Sequence, residues 1–443
     1  MTTGALEVAF REEWPRILGS VLRFTGDLQL AEDAVQEAFA RLVVLTATAA
    51  TSAPGASGPD AATSAMPRNP ASWITTTAKH VAVDWMRREA GFVRNFGRLA
   101  AEAADREAAA AEQAGADPFG VSIDDDRLQL LFMACHPELA EEARLAIALR
   151  AVCGVPTEEI AELFLVKQAT MAARLTRAKK RIQSSGIRLE QPDATELAAR
   201  TDDVLAIVYL LYTAGHTALA GDAISSAVTT ESALSLARSM VRLRPRHLEA
   251  RGLLALLLLT EARAHGRTDA AGEVVSLEDA DRSLWNTAMI QEGLGQATIA
   301  LAGRGRFALQ AGISGLHSQA PTWEATDWVS IVSLYDALVA SWPSPAARLN
   351  RLVARSFLPG ADLGVSLGDL DEMTADSTPG GAAFARQVWA VRGDLLRRAA
   401  RPIEAAHAYD RALEGESNDA VRSFLARRVR EVQGKRIGPF GDK

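Results

Sequence analysis

Cysteine is scarce in this chain of 443 residues. Only Cys135 and Cys153 occur, too few for a disulfide framework and suited to a reducing compartment. Long apolar runs are missing as well. The longest in the C-terminal half, from Leu253 to Leu259, falls far short of the roughly 20 residues that cross a bilayer, so a soluble protein without a membrane partner is expected. The opening residues, MTTGALEVAFREEWPR, lack the basic start and apolar stretch of a secretory signal, and the expected location is cytoplasmic. Gly-rich phosphate loops, nucleophile elbows and paired CxxC or HxxxH spacings are absent, which leaves no enzyme signature and no expected cofactor or metal. Positive charge is short too. Forty-eight Lys and Arg stand against 55 Asp and Glu, a net −7 that at face value argues against a nucleic-acid partner.

Strand signals hardly occur, while Ala, Leu, Arg and Glu fill long windows, so the chain reads as all-α. Its length demands more than one core. Phe10, Trp14, Ile17, Leu18, Val21 and Leu22 form a stripe at helical spacing, and after the break at Gly26-Asp27 a second stripe carries Leu30, Ala34, Val35, Ala38, Phe39 and Leu42. Between Thr46 and Pro67 the composition turns to Ala, Thr, Ser, Gly and Pro with Asp60 as its only charge, which predicts a loop. Pro70-Ala-Ser-Trp restarts a helix. An Ala- and Glu-rich linker is expected from Leu99 to Gly120. Asp124, Asp125 and Asp126 then open another helical unit, more simply as a cap than as an acidic metal site. Leu128, Leu131, Phe132, Leu145, Ile147, Ala148 and Leu149 supply its apolar faces. Cys135, His136 and Cys153 lie in these apolar stretches and read as buried thiols and a capping His rather than ligands. Thr157, with Glu158 and Glu159 behind it, is placed to cap the next helix.

The stretch from Thr157 to Gln183, TEEIAELFLVKQATMAARLTRAKKRIQ, carries the most information. Ile160, Leu163 and Phe164 give one helix a buried side, and Met171, Leu175, Ala178 and Ile182 give another. Leu165, Val166 and Lys167 between them match the turn of a helix-turn-helix. One position before each core residue of the second helix stand Thr170, Arg174, Arg177 and Arg181. Between Glu162 and Glu190 seven Lys or Arg occur without a single acid, so a local +7 is masked within a net acidic chain. Such a helix suits the DNA major groove, where its N-terminal side chains reach base edges and its basic ones neutralise phosphates. A solvated basic helix on a bundle surface is the alternative, against which the turn length and missing acids count.

A second window, Trp73 to Arg88, sets Lys79, His80, Asp84, Arg87 and Arg88 around a helix with Trp73 and Trp85. Aromatics among such side chains suit unstacked bases, although both tryptophans would equally serve a core. The segments DLQLAEDAVQEAFARLV, NPASWITTTAKHVAVDWMRRE and GVPTEEIAELFLVKQATMAARLTRAKKRI, in this order, resemble an extracytoplasmic-function sigma factor of bacterial RNA polymerase. The resemblance implies a region 2 domain at 5–98, a linker at 99–121 and a region 4 helix-turn-helix domain at 122–190. It implies docking of Asp33, Gln36 and Glu37 on the β′ coiled coil of core polymerase, and of region 4 on the β flap. Promoter DNA would be read at the −10 element by Trp73, Lys79, His80, Asp84, Arg87 and Arg88. The −35 element would meet Lys167, Gln168, Thr170, Arg174, Arg177, Lys179 and Arg181. Many members carry Asn where this chain has His80, and the Thr46–Pro67 insertion exceeds the usual connection.

Residues 195–443 resemble the tetratricopeptide-like extension of one long subgroup of that family. Trp389, Gly393, Ala405, Tyr409 and Ala412 recur at the repeat spacing, with Arg392 and Leu396 where the pattern has Leu and Tyr. Arg242 to Arg263, Ala347 to Leu370 and WEATDWVSIVSLYDAL are degenerate neighbours. One repeat cannot bury its own apolar face, which implies a stacked helical domain, expected to regulate and to take a protein or small-molecule regulator. A structural bundle without a ligand is the alternative. For the whole chain, a stand-alone helix-turn-helix activator with a helical sensor domain and a repeat scaffold with incidental N-terminal helices remain the competing classes. Neither half of the sequence is basic overall, so the free protein is expected to bind DNA weakly and to meet it when polymerase presents it.

Overall fold

The structure, a computed structural model, describes residues 13–51, 70–90, 125–185, 192–216, 227–375 and 381–434, except positions 15, 23, 165, 270–272 and 417. Among these residues the fold is all-α, with an isolated antiparallel bridge between Thr268 and Val274. The chain divides into two compact units, residues 1–161 with 168–207, and residues 162–167 with 208–443.

In the first unit, α1, at described positions between 13 and 25, buries Trp14, Ile17, Leu18, Val21 and Leu22. Asp27 Oδ1 accepts from the Leu30 N–H at 3.0 Å and opens α2 (Leu28–Thr51). This helix buries Ala34, Val35, Ala38 and Leu42, while Leu30 and Phe39 are only partly covered. It continues past Thr46, where the composition predicts a loop, because Ala-rich sequence propagates a helix that a packed face has already nucleated. The rest of that loop, the Leu99–Gly120 linker and Phe10 lie outside the described residues. Along α2 packs α3 (Pro70–Ala90), through Ile74, Ala78, Val81 and Ala82.

Asp125 caps α4 (Asp126–Ala134), accepting from the N–H groups of Arg127 at 3.0 Å and Leu128 at 3.2 Å. Next comes α5 (Glu141–Ile147), which widens into a π-turn over Ala148–Val152. Gly154, at φ +71°, ends that turn, and the Val155 N–H returns to the Leu149 carbonyl at 3.0 Å. Trp14 ties α1 to the same turn, its Nε1 donating to the Ala151 carbonyl at 2.8 Å. Beyond it lie α6 (Thr157–Leu163) and α7 (Gln168–Ser185). Thr157 is the first helical residue rather than the one before it. The start of α8 (Ala194–His216) also belongs here. Its buried Arg200 donates to the Phe132 carbonyl at 3.1 Å and to Glu196 at 2.9 Å, and Asp203 meets Arg144 at 3.3 Å.

The second unit hands one core to the next along the chain. Helices α9 (Ala227–Leu243), α10 (Leu248–Glu261), α11 (Thr287–Ala300) and α12 (Arg306–Gln319) pack on their sequence neighbours, with Leu259, Trp285, Ala297 and Ala311 inside. Leu309 and Ile313 of α12 pass the core to α13 (Trp328–Ser341) and α14 (Pro345–Arg355). A third core gathers α15 (Leu363–Ala375), α16 (Gly381–Arg398), α17 (Pro402–Leu413) and α18 (Asp419–Gly434) around Leu370, Val388, Leu395, Tyr409 and Leu425. A Cβ on Gly393 would stand 2.6 Å from the Tyr409 ring, so α16 and α17 approach this closely only with glycine there. No side chain of its own caps α12. Instead Glu249 reaches over from α10 and accepts from the N–H groups of Phe307 at 2.9 Å and Ala308 at 3.1 Å. The chain end returns to the α10–α11 segment, where Arg427 binds Glu273 at 2.8 Å and the Val274 carbonyl at 2.6 Å, and Arg428 meets Asp279 at 3.2 Å.

Candidate nucleic-acid interface

Met171, Leu175, Ala178 and Ile182 are all buried, which fixes the rotation of α7 and turns the adjacent row of side chains outward. Thr170, Arg177 and Arg181 are exposed along that row, with Lys167 and Gln168 exposed at the helix start. Arg177 Nε donates only to its own helix, to the Ala173 carbonyl at 3.3 Å. Ile160 of the preceding α6 is fully buried, whereas Leu163 and, just past the helix end, Phe164 are half-covered.

Two members of the predicted −35 set are engaged within the first unit. Arg174 pairs with Glu142 at 2.7 Å, and Lys179 forms an ion pair with Glu32 of α2. Glu32 is only 4% exposed, so its carboxylate depends on the ammonium group for compensation. Sequence spacing gives no sign of this bond, which joins positions 147 residues apart.

On α3, His80, Asp84 and Arg87 share the exposed side with Ser72 and Thr76, opposite the buried Ile74, Ala78 and Val81. Trp73 and Trp85 flank that side and are half-buried. Lys79 places its Nζ 5.9 Å from the Phe24 ring centroid. The side chain of Arg88 lies outside the described residues. Of the expected polymerase contacts, Asp33 accepts from Gln29 at 2.9 Å, Glu37 pairs with Arg41 at 2.9 Å, and Gln36 is exposed.

The cysteines are chemically quiet. Burial pushes the Cys135 thiol far above its ordinary range and that of Cys153 up to about 12, so both are neutral thiols at physiological pH. His136 accepts the Glu138 N–H through Nδ1 at 3.4 Å, a local turn contact. No group of three or more His, Cys, Asp or Glu stands together as a metal cage among the described residues.

Residues 129–182, which span α4 to α7, match the family model described as sigma-70, region 4. A protein of Rhizobium meliloti (strain 1021), carrying the name uncharacterized protein R00370, is 36% identical over 431 residues, or 96% of this chain and 95% of the relative. The chain belongs to the same family as this relative, and its region 4 segment supports a sigma-factor kinship. The region 4 match suggests a sigma-factor-like DNA-binding role in transcription and implies interaction with RNA polymerase and promoter DNA. The same match points to a regulator of transcription. Residues 200–301, from α8 to the end of α11, match a family of unknown function, DUF6596. No helix among the described residues is long and apolar enough to cross a membrane.

Proposed function

We propose that this sigma-family chain is of the extracytoplasmic-function type, binds core RNA polymerase, and directs initiation at promoters with particular −10 and −35 elements. The observation that carries this reading is the exposed row of Thr170, Arg177 and Arg181, with Lys167 and Gln168, on the second helix of a region 4 helix-turn-helix. Arginine there offers bidentate contacts to guanine or phosphate. The exposed side of α3, with His80, Asp84, Arg87 and the flanking Trp73, would meet the −10 element, together with Lys79 and Arg88. Asp33, Gln36 and Glu37 of α2 would face the β′ coiled coil, and region 4 the β flap. Arg174 and Lys179 join the −35 contact once they exchange Glu142 and Glu32 for phosphate. In this reading residues 195–443 are a tetratricopeptide-like regulatory domain, preceded by region 2 at 5–98, a linker at 99–121 and region 4 at 122–190.

Run-off transcription with purified core polymerase on genomic fragments, followed by start-site mapping, tests the reading. The wild-type chain is expected to yield discrete starts behind a common pair of elements, and Arg177→Ala/Arg181→Ala to lower output by about tenfold or more, each base-specific contact contributing on the order of 1–3 kcal/mol. Starts that do not depend on the added chain would refute it. Tight gel shifts of promoter DNA by the chain without polymerase would favour a stand-alone activator instead.

A further inference from the structure

In the second unit a cavity of about 210 Å³ opens between the end of α8, α10 and the segment that leads into α11. Its lining includes Arg263, Arg267 and His216 together with Val275, Leu277 and Trp285. The charges do not balance. Arg263 donates to Ser314 Oγ at 3.1 Å, and Arg267 to the His216 carbonyl at 3.0 Å and to its Nε2 at 2.8 Å, but neither forms a direct ion pair with a carboxylate among the described residues. A third guanidinium, of Arg282, lies over the Trp285 ring at 4.7 Å; its Nη1 donates to the carbonyls of His317 and Ala320, while its Nη2 is buried without a hydrogen-bond partner among the described residues. Two carboxylates act on this cluster through space, Glu261 on Arg267 and Glu324 on Arg282, and Glu261 accepts from Tyr212 at 3.0 Å. His216 adds no negative charge, and it completes a relay. Its Nε2 accepts from Arg267, its Nδ1 stands 3.1 Å from the Tyr212 hydroxyl, and that hydroxyl donates to Glu261. Burial and the adjacent arginines hold Arg263 down at about 10 and His216 at about 3. The Trp285 indole completes the picture: it is 7% exposed and its Nε1 has no hydrogen-bond partner.

Largely buried cations with so little counter-charge, beside a buried unpaired N–H, are costly unless something else supplies acceptors. We propose that this cavity binds a small organic anion, whose carboxylate or phosphate group lies between Arg263 and Arg267 within reach of the Trp285 N–H, and whose apolar body packs on Val275 and Leu277. Arginine forks suit either head group, and the relay to Glu261 holds Arg267 in place before the ligand arrives. The volume fits a small metabolite rather than a nucleotide or peptide, because drug-sized ligands occupy about 300 Å³ or more. The site stands on this unit's geometry alone and is independent of promoter recognition.

Isothermal titration of the full chain with benzoate, phenyl phosphate and neutral benzamide tests the proposal without polymerase. At least one anion is expected to bind saturably and benzamide not to bind, and the better anion identifies the preferred head group. Arg267→Gln should weaken binding by about tenfold or more and Trp285→Phe, which keeps the ring and removes the N–H, by about threefold. Raising the salt should weaken it less than it weakens a surface contact. Absence of saturable binding of both anions up to about 10 mM, a range that covers even millimolar affinity, overturns the proposal, as does equal affinity for benzamide. If Arg267→Gln fails to fold, Trp285→Phe and the cavity-filling Leu277→Trp decide, and wild-type affinity in either refutes the site.

Discussion

Buried charge is handled differently in the two units. In the first, Glu32 faces Lys179, Arg200 is held by Glu196 and the Phe132 carbonyl, and Asp203 faces Arg144, so each charge is met by a protein group. In the second, Arg263 and Arg267 line a cavity with, among the described residues, only Ser314 and His216 as hydrogen-bond partners. A paired buried charge holds elements together, and removing one partner leaves the other exposed to the full desolvation penalty. An unpaired one costs stability in the empty protein and returns it when a ligand binds, the usual trade of stability for function.

The strongest way to break this comparison is to delete one arginine from each unit. Arg200→Ala strands the Phe132 carbonyl and is expected to lower the unfolding free energy by about 2–3 kcal/mol in urea titration. Arg263→Met, which keeps much of the volume, should change it by less than about 1 kcal/mol and can raise it. A large loss at Arg263 would mean that its charge is structurally compensated after all.

Acid should separate the units next. His216 and His317 are held at about 3 and about 4, chiefly by burial and then by neighbouring arginines, against an ordinary 6.5. Both histidines are therefore neutral in the folded state, while the unfolded chain takes up protons below about 6.5. Their contribution is complete above that pH and shrinks progressively as the pH falls towards 4 and 3. Unfolding monitored from about pH 8 downwards should show this decline, and His216→Gln/His317→Gln should flatten it. A decline of the same size in the double variant would remove these histidines as its source.

The smallest effect is expected at the Lys179–Glu32 pair. Glu32→Gln frees the ammonium group for phosphate, so affinity for promoter DNA in the polymerase complex should rise by about twofold to threefold, with a salt slope steeper by about one. An unchanged slope would mean that Lys179 stays off the DNA.

Local features of these sites were legible in sequence and long-range ones were not. The 3–4 spacing of Met171, Leu175, Ala178 and Ile182 fixes which side of α7 faces out, and Asp125 caps its helix because a short carboxylate before an apolar run has that geometric option. Gly393 and Tyr409 could be read as a repeat pattern, although only coordinates reveal the close approach behind it. No periodicity encodes Glu32 with Lys179, or the arrival of Tyr212, Arg263 and Trp285 at one cavity. The π-turn at Ala148–Val152 is also invisible to a 3.6-residue pattern, since it breaks that pattern by one residue per turn.

The return of α18 to the α10–α11 segment has a consequence for how the second unit folds. Arg427 and Glu273 are 154 positions apart, so their bond closes a loop that takes in most of the unit's helices. An open array of repeats can nucleate anywhere and melt piecemeal. A closed one gains its last contacts late, pays a large loop-closure entropy first, and is pushed towards slow, concerted folding.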